Sequence, residues 1–473
     1  MGEHKPKRIT GTHVYTMLRC PRAVALDLHE DKSKRRPLTE AEEFVRQRGR
    51  ELEARLVGEL GYPEPDYPQR DFAAGAAATA RMLGEGVPGV SQGVLLSAAG
   101  DQLGIPDLLR KEPGPSALGN HHYVVGDIKS SGRPRSDQVL QVAFYSRLLQ
   151  DLQDRPPEYG YLILKDGHEE RFDLVAIEAA LDDVVERVLA VCEEPDSERP
   201  FLSAACSHCH WSGLCLPELE AKDDLSLVQG MTRGLRQVLE GQDFRTCASL
   251  GDMAVEPTAR RSHLEPTLLR RLKQAAASRG VGRPLLQKHG GLDGGDYESG
   301  ALVHMLVDHY AERVLLFGIL YPADATGAFH SACPENREQE LQVFLSLLEC
   351  VPGGVPLLHY GEALPRWFTE AGHRHPATAQ VEERFVNLKK RLRGAAVYPG
   401  PVFSLADHVR HVLGVDPHRE GEAGAAARWV AEGHQDRLTT KGRSDLLDLS
   451  RVLRELRGEI SEASKKEAHG PVA

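Results

Sequence analysis

Four cysteines constrain this chain more than any other feature. Cys20 stands near the start, and Cys206, Cys209 and Cys215 follow as a Cys-x2-Cys-x5-Cys trio. Thiolates at that spacing suit a tetrahedral metal or an iron–sulfur cluster, and three local thiols leave one coordination position for which Cys20 is the natural fourth. His208 and His210 keep a structural zinc site open as the alternative. A centre joining Cys20 to the trio would close a loop of nearly two hundred residues and tie both ends of one folded unit together. Cys192, Cys247, Cys333 and Cys350 are isolated and read as inert core thiols.

Inside the bracket the pattern is helices first, then strands. Helices are expected over residues 9–30, 38–60 and 71–84. Strand-like runs follow at Gly93–Ala98, Gln102–Arg110 and Tyr123–Ser130, separated by Gly- and Pro-rich turns. A helix at 136–152, strands at 159–165 and 170–174, and a helix at 176–192 lead to the trio. This order predicts an α/β (α+β) core of about 200 residues. Residues 221–290 read as a small helical module. A Gly-rich linker, 289–295, opens a last domain over 291–460, with strands at 301–308, 313–321, 327–331 and 356–360. The charged tail, 461–473, is expected to be disordered. At 473 residues the chain has room for about three domains.

Two carboxylates and a lysine stand at strand positions within the bracketed unit: Asp107 after Pro106, and Asp127 with Lys129 twenty residues on. Alternation turns residues i and i+2 to one face, so Asp127 and Lys129 point the same way. Carboxylates converging at a sheet edge repel unless a hard cation such as Mg²⁺ or Mn²⁺ neutralises them. A cation so held polarises a phosphodiester and lowers the pKa of bound water, and a lysine beside it steadies the charge of the transition state. Gln141 and Tyr145, at i and i+4, share one face of the next helix.

These elements together resemble the RecB-like branch of the PD-(D/E)xK nucleases over residues 10–218. The motifs are Gly49-x3-Glu53, Pro106-Asp107, Gly126-Asp127-Ile128-Lys129 and Gln141-x3-Tyr145. The resemblance implies a restriction-endonuclease-like core in which Glu53, Asp107, Asp127 and the Ile128 carbonyl hold Mg²⁺ or Mn²⁺. Lys129 would be the catalytic lysine, with Gln141 and Tyr145 in the same site. The cysteine frame is similar to that of the iron–sulfur-stapled members, which implies a structural 4Fe–4S cluster on Cys20, Cys206, Cys209 and Cys215, with Zn²⁺ as the alternative. The helical module resembles a helix–hairpin–helix unit. Residues 300–455 resemble the RNase H-like domain that follows the RecB-like domain in a group of bacterial nucleases. There His304, Leu306 and Asn387 stand where that fold carries acids, and only Asp445 keeps one. Two-metal chemistry needs a cluster of carboxylates, so this domain is expected to be catalytically degenerate. Asp296-x-Glu298 is acidic but lies in a Gly-rich turn ahead of the first strand.

The expected function is therefore a metal-dependent deoxyribonuclease, exonucleolytic on single strands or duplex ends, acting in DNA repair or phage defence. The competing reading is a non-catalytic nucleic-acid-binding subunit of a separate helicase. No Gly-x4-Gly-Lys-(Ser/Thr) loop is present, so unwinding would need a partner ATPase. Net charge is −11, and phosphate contacts would fall to local basic runs such as Lys32–Arg36, Arg270–Lys273 and Lys389–Arg393. No apolar run reaches the ~18 residues of a membrane span, and residues 1–8 lack a signal-peptide core, so a cytoplasmic location is expected.

Overall fold

The computed structural model describes residues 8–287, 292, 297, 299–308, 310–324, 326–372, 378–415 and 425–468, the side chains of 372 and 459–468 excepted. The fold is mixed α/β, of the α+β kind. It divides into two compact units: residues 1–38, 43–200 and 205–214, and residues 39–42, 201–204 and 215–473.

The first unit begins with a short strand β1 (Ile9–Thr10) and helices α1 (Gly11–Met17) and α2 (Pro21–His29). A single helix was expected here. Pro21 divides it, because proline has no N–H to continue α1 and holds the preceding Cys20 extended at φ −159°, ψ 100°. Cys20 thereby becomes the N-cap of α2. Helices α3 (Glu40–Leu60) and α4 (Phe72–Glu85) follow.

Strands β2 (Gly89–Ser91), β3 (Leu95–Leu96), β4 (Gln102–Gly104), β5 (Leu108–Ser116) and β6 (Gly119–Ile128) come next. Helix α5 (Ser136–Gln153), strands β7 (Tyr159–Ile163) and β8 (Glu169–Asp173) and helix α6 (Glu178–Glu193) complete the unit. One expected strand, Gln102–Arg110, divides into β4 and β5, and β2 lies ahead of the expected run Gly93–Ala98. Gln92 takes a positive φ of 52° and separates β2 from β3. Pro106 removes an N–H between β4 and β5, leaving Asp107 just ahead of β5.

The main sheet runs β2-β5-β6-β7-β8, with β6 and β7 parallel and the other pairs antiparallel. Helix α5 buries Leu140, Val142, Ala143, Phe144, Tyr145, Leu148 and Leu149, more than a one-sided amphipathic helix would. It shares a core with Val14 and Met17 of α1, Tyr123 and Val125 of β6, and Leu181, Val185 and Val188 of α6.

Helix α7 (Ser212–Ala221) leads into the second unit. Helices α8 (Arg233–Glu240), α9 (Cys247–Gly251), α10 (Val255–Ser262) and α11 (Pro266–Val281) form the expected helical stretch. It belongs to the same compact unit as the C-terminal sheet: β9 (Leu285–Leu286) pairs with β15 (Ala396–Val397), and Val397 joins Leu239, Leu250 and Leu272 in one core.

The sheet of this unit contains β10 (Ala301–Asp308), β11 (Arg313–Tyr321), β12 (Ala328–Ala332), β13 (Leu357–His359) and β14 (Phe385–Asn387), in the order β12-β11-β10-β13-β14. β11 runs antiparallel to both β10 and β12, and β13 and β14 run parallel to β10. Helices α12 (Glu340–Leu347), α13 (Ala363–Gly372) and α14 (Thr378–Glu382) precede β14, and α15 (Leu388–Ala395) follows it. After β15 come α16 (Leu405–Leu413), α17 (Ala425–Ala431) and α18 (Gln435–Ala468).

Alternation along β10 sends Leu302 into a core with Leu446, Leu449 and Val452 of α18, and Val303 into a second core with Phe344 and Phe368. Helix α18 continues to Ala468, into the segment expected to be disordered. Asp296, Glu298 and most of the Gly-rich linker lie outside the described residues, as do 469–473.

Candidate active site

Register builds the site. Ser91 pairs with Leu108 across β2 and β5, and Leu108 pairs with Gly126 across β5 and β6. One residue further along each strand, Gln92, Asp107 and Asp127 form a row across the sheet, and directly opposed residues share a face. Ile128 N–H donates to Asp107 Oδ2 at 2.7 Å, and Asp107 N–H reaches Asp127 Oδ1 at 3.3 Å. The two carboxylates are thus each held by the other strand's backbone.

Glu53 arrives from α3. Gln92 Nε2 donates to Glu53 Oε1 at 2.7 Å and to Asp107 Oδ1 at 3.2 Å. Lys129 is one residue past β6, yet its N–H still bonds Ile163 O at 2.9 Å, which keeps it in line with the sheet. Its ammonium stands 2.5 Å from Asp127 Oδ2 and donates to Gln141 Oε1 at 3.1 Å. Gln141 Nε2 in turn donates to Tyr145 Oη at 2.9 Å. The result is one continuous polar chain: Glu53, Gln92, Asp107, Asp127, Lys129, Gln141, Tyr145.

Close approach explains two of the glycines. A Cβ on Gly126 would lie 2.1 Å from the ring of Tyr161, its cross-strand neighbour, and one on Gly11 would lie 2.4 Å from the ring of Tyr145. Glycine beside Asp127 and at the start of α1 is therefore a packing requirement.

The electrostatics are those of crowded acids. Burial pushes Asp107 well above the ordinary carboxylate value; Asp127 and Glu53 add to this and Lys129 opposes it. Burial also raises Glu53, with Asp127 in the same sense and Lys129 and Gln92 against. For Lys129, burial alone would pull the pKa down, but Asp127 and Asp107 outweigh it and the net shift is upward. Burial raises the Tyr145 phenol, so it acts as a neutral hydrogen-bonding group. Three oxygen-donor acids suit a hard cation such as Mg²⁺ or Mn²⁺. Among the described residues no group of three or more His, Cys, Asp or Glu side chains is gathered to hold a metal ion. The acids converge instead on two nitrogen donors, the Gln92 amide and the Lys129 ammonium.

All six acidic, basic and polar side chains singled out from the sequence, Glu53, Asp107, Asp127, Lys129, Gln141 and Tyr145, thus lie in one place, with Ile128 bonded to Asp107 through its N–H. Gln92 was missed. Its only signal in the sequence is a polar amide at the mouth of an apolar run.

The cysteines lie elsewhere. None is in a disulfide. Cys20, Cys206 and Cys209 belong to the first unit, and Cys215 lies on α7. Burial raises the Cys209 thiol, with Cys20 and Cys206 acting in the same sense and the Trp211 N–H, 3.4 Å from Cys209 Sγ, opposing it. Trp211 is fully buried and donates from Nε1 to Asp27 Oδ1 at 2.7 Å, while Asp27 also pairs with Arg35. Arg36 adds bonds from its N–H to His210 O and from Nε to Cys209 O. The N-terminal segment and the cysteine loop are therefore fastened together by Asp27, Arg35, Arg36 and Trp211 as well as by any centre the thiols hold.

In the second unit, His304 on β10 and Lys441 and Asp445 on α18 meet: His304 Nε2 is 3.2 Å from Asp445 Oδ2, and Lys441 pairs with Asp445 Oδ1. Burial would raise Asp445, but His304 and Lys441 outweigh it and lower it. With His359, Tyr360 and Asp448 they line a cavity of about 280 Å³. Asn387 is occupied structurally, accepting from Lys389 N–H at 3.1 Å as the N-cap of α15 and donating to Glu362 Oε1 at 2.9 Å.

Against known proteins, the chain matches no family model and no curated protein. No helix among the described residues is long and apolar enough to cross a membrane.

Proposed function

We propose that the first unit is a RecB-like PD-(D/E)xK nuclease, a Mg²⁺- or Mn²⁺-dependent deoxyribonuclease acting on single strands or duplex ends in DNA repair or phage defence. The observation that carries this reading is the single polar chain from Glu53 to Tyr145, assembled from five separate segments: α3, the end of β2, the start of β5, the end of β6 and α5. Such a concentration of buried and half-buried acids around one lysine costs stability, and groups perturbed in this way cluster where chemistry needs them. Glu53, Asp107, Asp127 and the Ile128 carbonyl would hold the cation, which supplies a polarised phosphodiester and a more acidic water. Lys129, held between Asp127 and Gln141, presents a fixed positive charge to the developing negative charge on phosphate. Tyr145 and Gln141 keep that ammonium in place.

The cysteine frame is carried forward with it: Cys20, Cys206, Cys209 and Cys215 as ligands of a structural 4Fe–4S cluster, zinc being the alternative outcome of metal analysis. We also propose that the second unit contains a degenerate RNase H-like domain. A three-stranded antiparallel sheet extended by two parallel strands supports that fold. His304, Leu306 and Asn387 in place of acids support the loss of two-metal chemistry, leaving a role in nucleic-acid binding or packing.

The test is cleavage of end-labelled single- and double-stranded DNA, with RNA in parallel, in Mn²⁺ or Mg²⁺. Wild type is expected to cut, and Lys129→Ala and Asp127→Ala to lose at least ~100-fold. Equal activity in all three would remove the site. Loss of activity only on changing Asp445 would move it to the second unit. A wild type that binds DNA without cutting would favour the non-catalytic subunit of a separate helicase.

A further inference from the structure

Gln92 sits where a cation would be best stabilised, between the carboxylates of Glu53 and Asp107, 2.7 Å and 3.2 Å from its amide nitrogen. Two things fix it there. It falls in the row Gln92–Asp107–Asp127 set by the strand register, with its N–H on Asp107 O at 3.1 Å. Its backbone also adopts φ 52°, a left-handed conformation that costs a non-glycine residue of order 1 kcal/mol and that clusters at functional sites. A packing role would be met equally well by an apolar side chain in a relaxed conformation. A glutamine end group, however, is two-sided: a half-turn about its last torsion exchanges NH₂ for a carbonyl oxygen at nearly the same point.

We propose that Gln92 is a further oxygen ligand of the divalent-cation site, its amide turning between two roles. With no cation present, the NH₂ faces Glu53 and Asp107 and screens their repulsion. When the cation enters, the amide turns and offers its carbonyl oxygen, a neutral hard donor that adds no charge to a site already holding three acids. This assignment rests on the metal site proposed above.

The test is Mn²⁺ titration of the full-length protein by calorimetry, with thermal stability in EDTA measured alongside. Three variants are compared with wild type: Gln92→Asn, Gln92→Leu and Gln92→Glu. Asparagine tolerates the left-handed backbone but withdraws the oxygen by one methylene, so this variant folds even where Gln92→Leu does not. The expected result is a Kd for Mn²⁺ raised about tenfold in Gln92→Asn and Gln92→Leu, and restored to wild-type strength or better in Gln92→Glu. A residue that only donated N–H bonds to hold Glu53 and Asp107 could not be rescued by a glutamate, which has nothing to donate. A residue that merely competed with the cation would give tighter binding when shortened. Unchanged or tighter Mn²⁺ binding in Gln92→Asn, or no rescue in Gln92→Glu, overturns the assignment and leaves the metal site standing. No Mn²⁺ binding by wild type overturns both.

Discussion

The pair Lys129–Asp127 offers a quantitative test of the site that needs no substrate. Asp127 is nearly inaccessible, with its side chain 3% exposed, and Lys129 retains 20%. Removing one partner of a fully buried ion pair costs about 3–5 kcal/mol, because the other charge is left desolvated. A lysine still one-fifth open to water lowers that to about 2–4 kcal/mol. The perturbation is Lys129→Met, which keeps the length of the stem and removes the charge. Asp127 then retains only the 3.3 Å bond from Asp107 N–H, on its other oxygen. For a folding unit of about 200 residues, each kcal/mol moves Tm by roughly 2–4 °C, so a fall of about 5–15 °C is expected in EDTA at pH 8. Asp127→Asn alone should be destabilising for the converse reason. The double variant Lys129→Met/Asp127→Asn removes both charges and should be less destabilised than the sum of the singles, by about 1–3 kcal/mol in a double-mutant cycle followed by circular dichroism. Strict additivity would refute the reasoning, since it would mean that the two side chains do not hold each other's charge.

Two other outcomes follow from the structure, and a third from the proposed cysteine frame. Gly126→Ala places a methyl group 2.1 Å from the buried Tyr161 ring, over which Arg110 lies at 4.0 Å, so the ring has little room to yield; a loss of at least about 1–3 kcal/mol is expected, read as a lower denaturation midpoint, and an unchanged midpoint would contradict the packing. Burial holds His408 down to about 4 against an ordinary 6.5, with the Ser404 carbonyl and Asp407 opposing and His411 and Arg393 assisting. Its Nδ1 shares a hydrogen bond with Tyr360 Oη at 3.0 Å. The neutral ring is favoured in the fold, so its contribution is complete above pH 6.5 and lost as pH falls towards 4, by about 3 kcal/mol; a His408→Phe variant with the same pH slope across that window would exclude it. Wild type purified in air should be brown, absorb near ~400 nm and carry about four irons per chain, and Cys209→Ala should lose them; a colourless protein with one zinc would replace the iron–sulfur cluster with a zinc site.

Much of the site was legible because its parts are encoded locally. Gln141 and Tyr145 share a helix face by their four-residue spacing, and Asp127 and Lys129 share a strand face by alternation. The strands β10 and β11 were readable to the residue, since each is a mainly apolar run of strand length. The breaks were harder. Cys20 as a helix cap and Asp107 ahead of its strand both follow from a neighbouring proline, whose missing N–H interrupts an otherwise periodic pattern. Gln92 could not be found this way. Its importance depends on an irregular φ and on lying opposite Asp107, and neither leaves a periodic trace. The helical stretch 221–290 looked separable because its composition changes. The pairing of β9 with β15, more than a hundred residues apart, ties it into the compact unit that holds the C-terminal sheet.

By itself, the sequence determined the inventory: which acids, which lysine, which thiols, and the helix or strand run near which each falls. Those follow from side-chain chemistry and from periods of 3.6 and 2, which are local properties. Tertiary structure decided which of them meet. The register of β2 on β5 and β5 on β6 aligned Gln92, Asp107 and Asp127 in one row, and α3 delivered Glu53 to it. The same register decided that the acids rest on an amide and an ammonium. Register is set by long-range backbone pairing and by which face of each strand must be buried, and no short window of sequence contains that information.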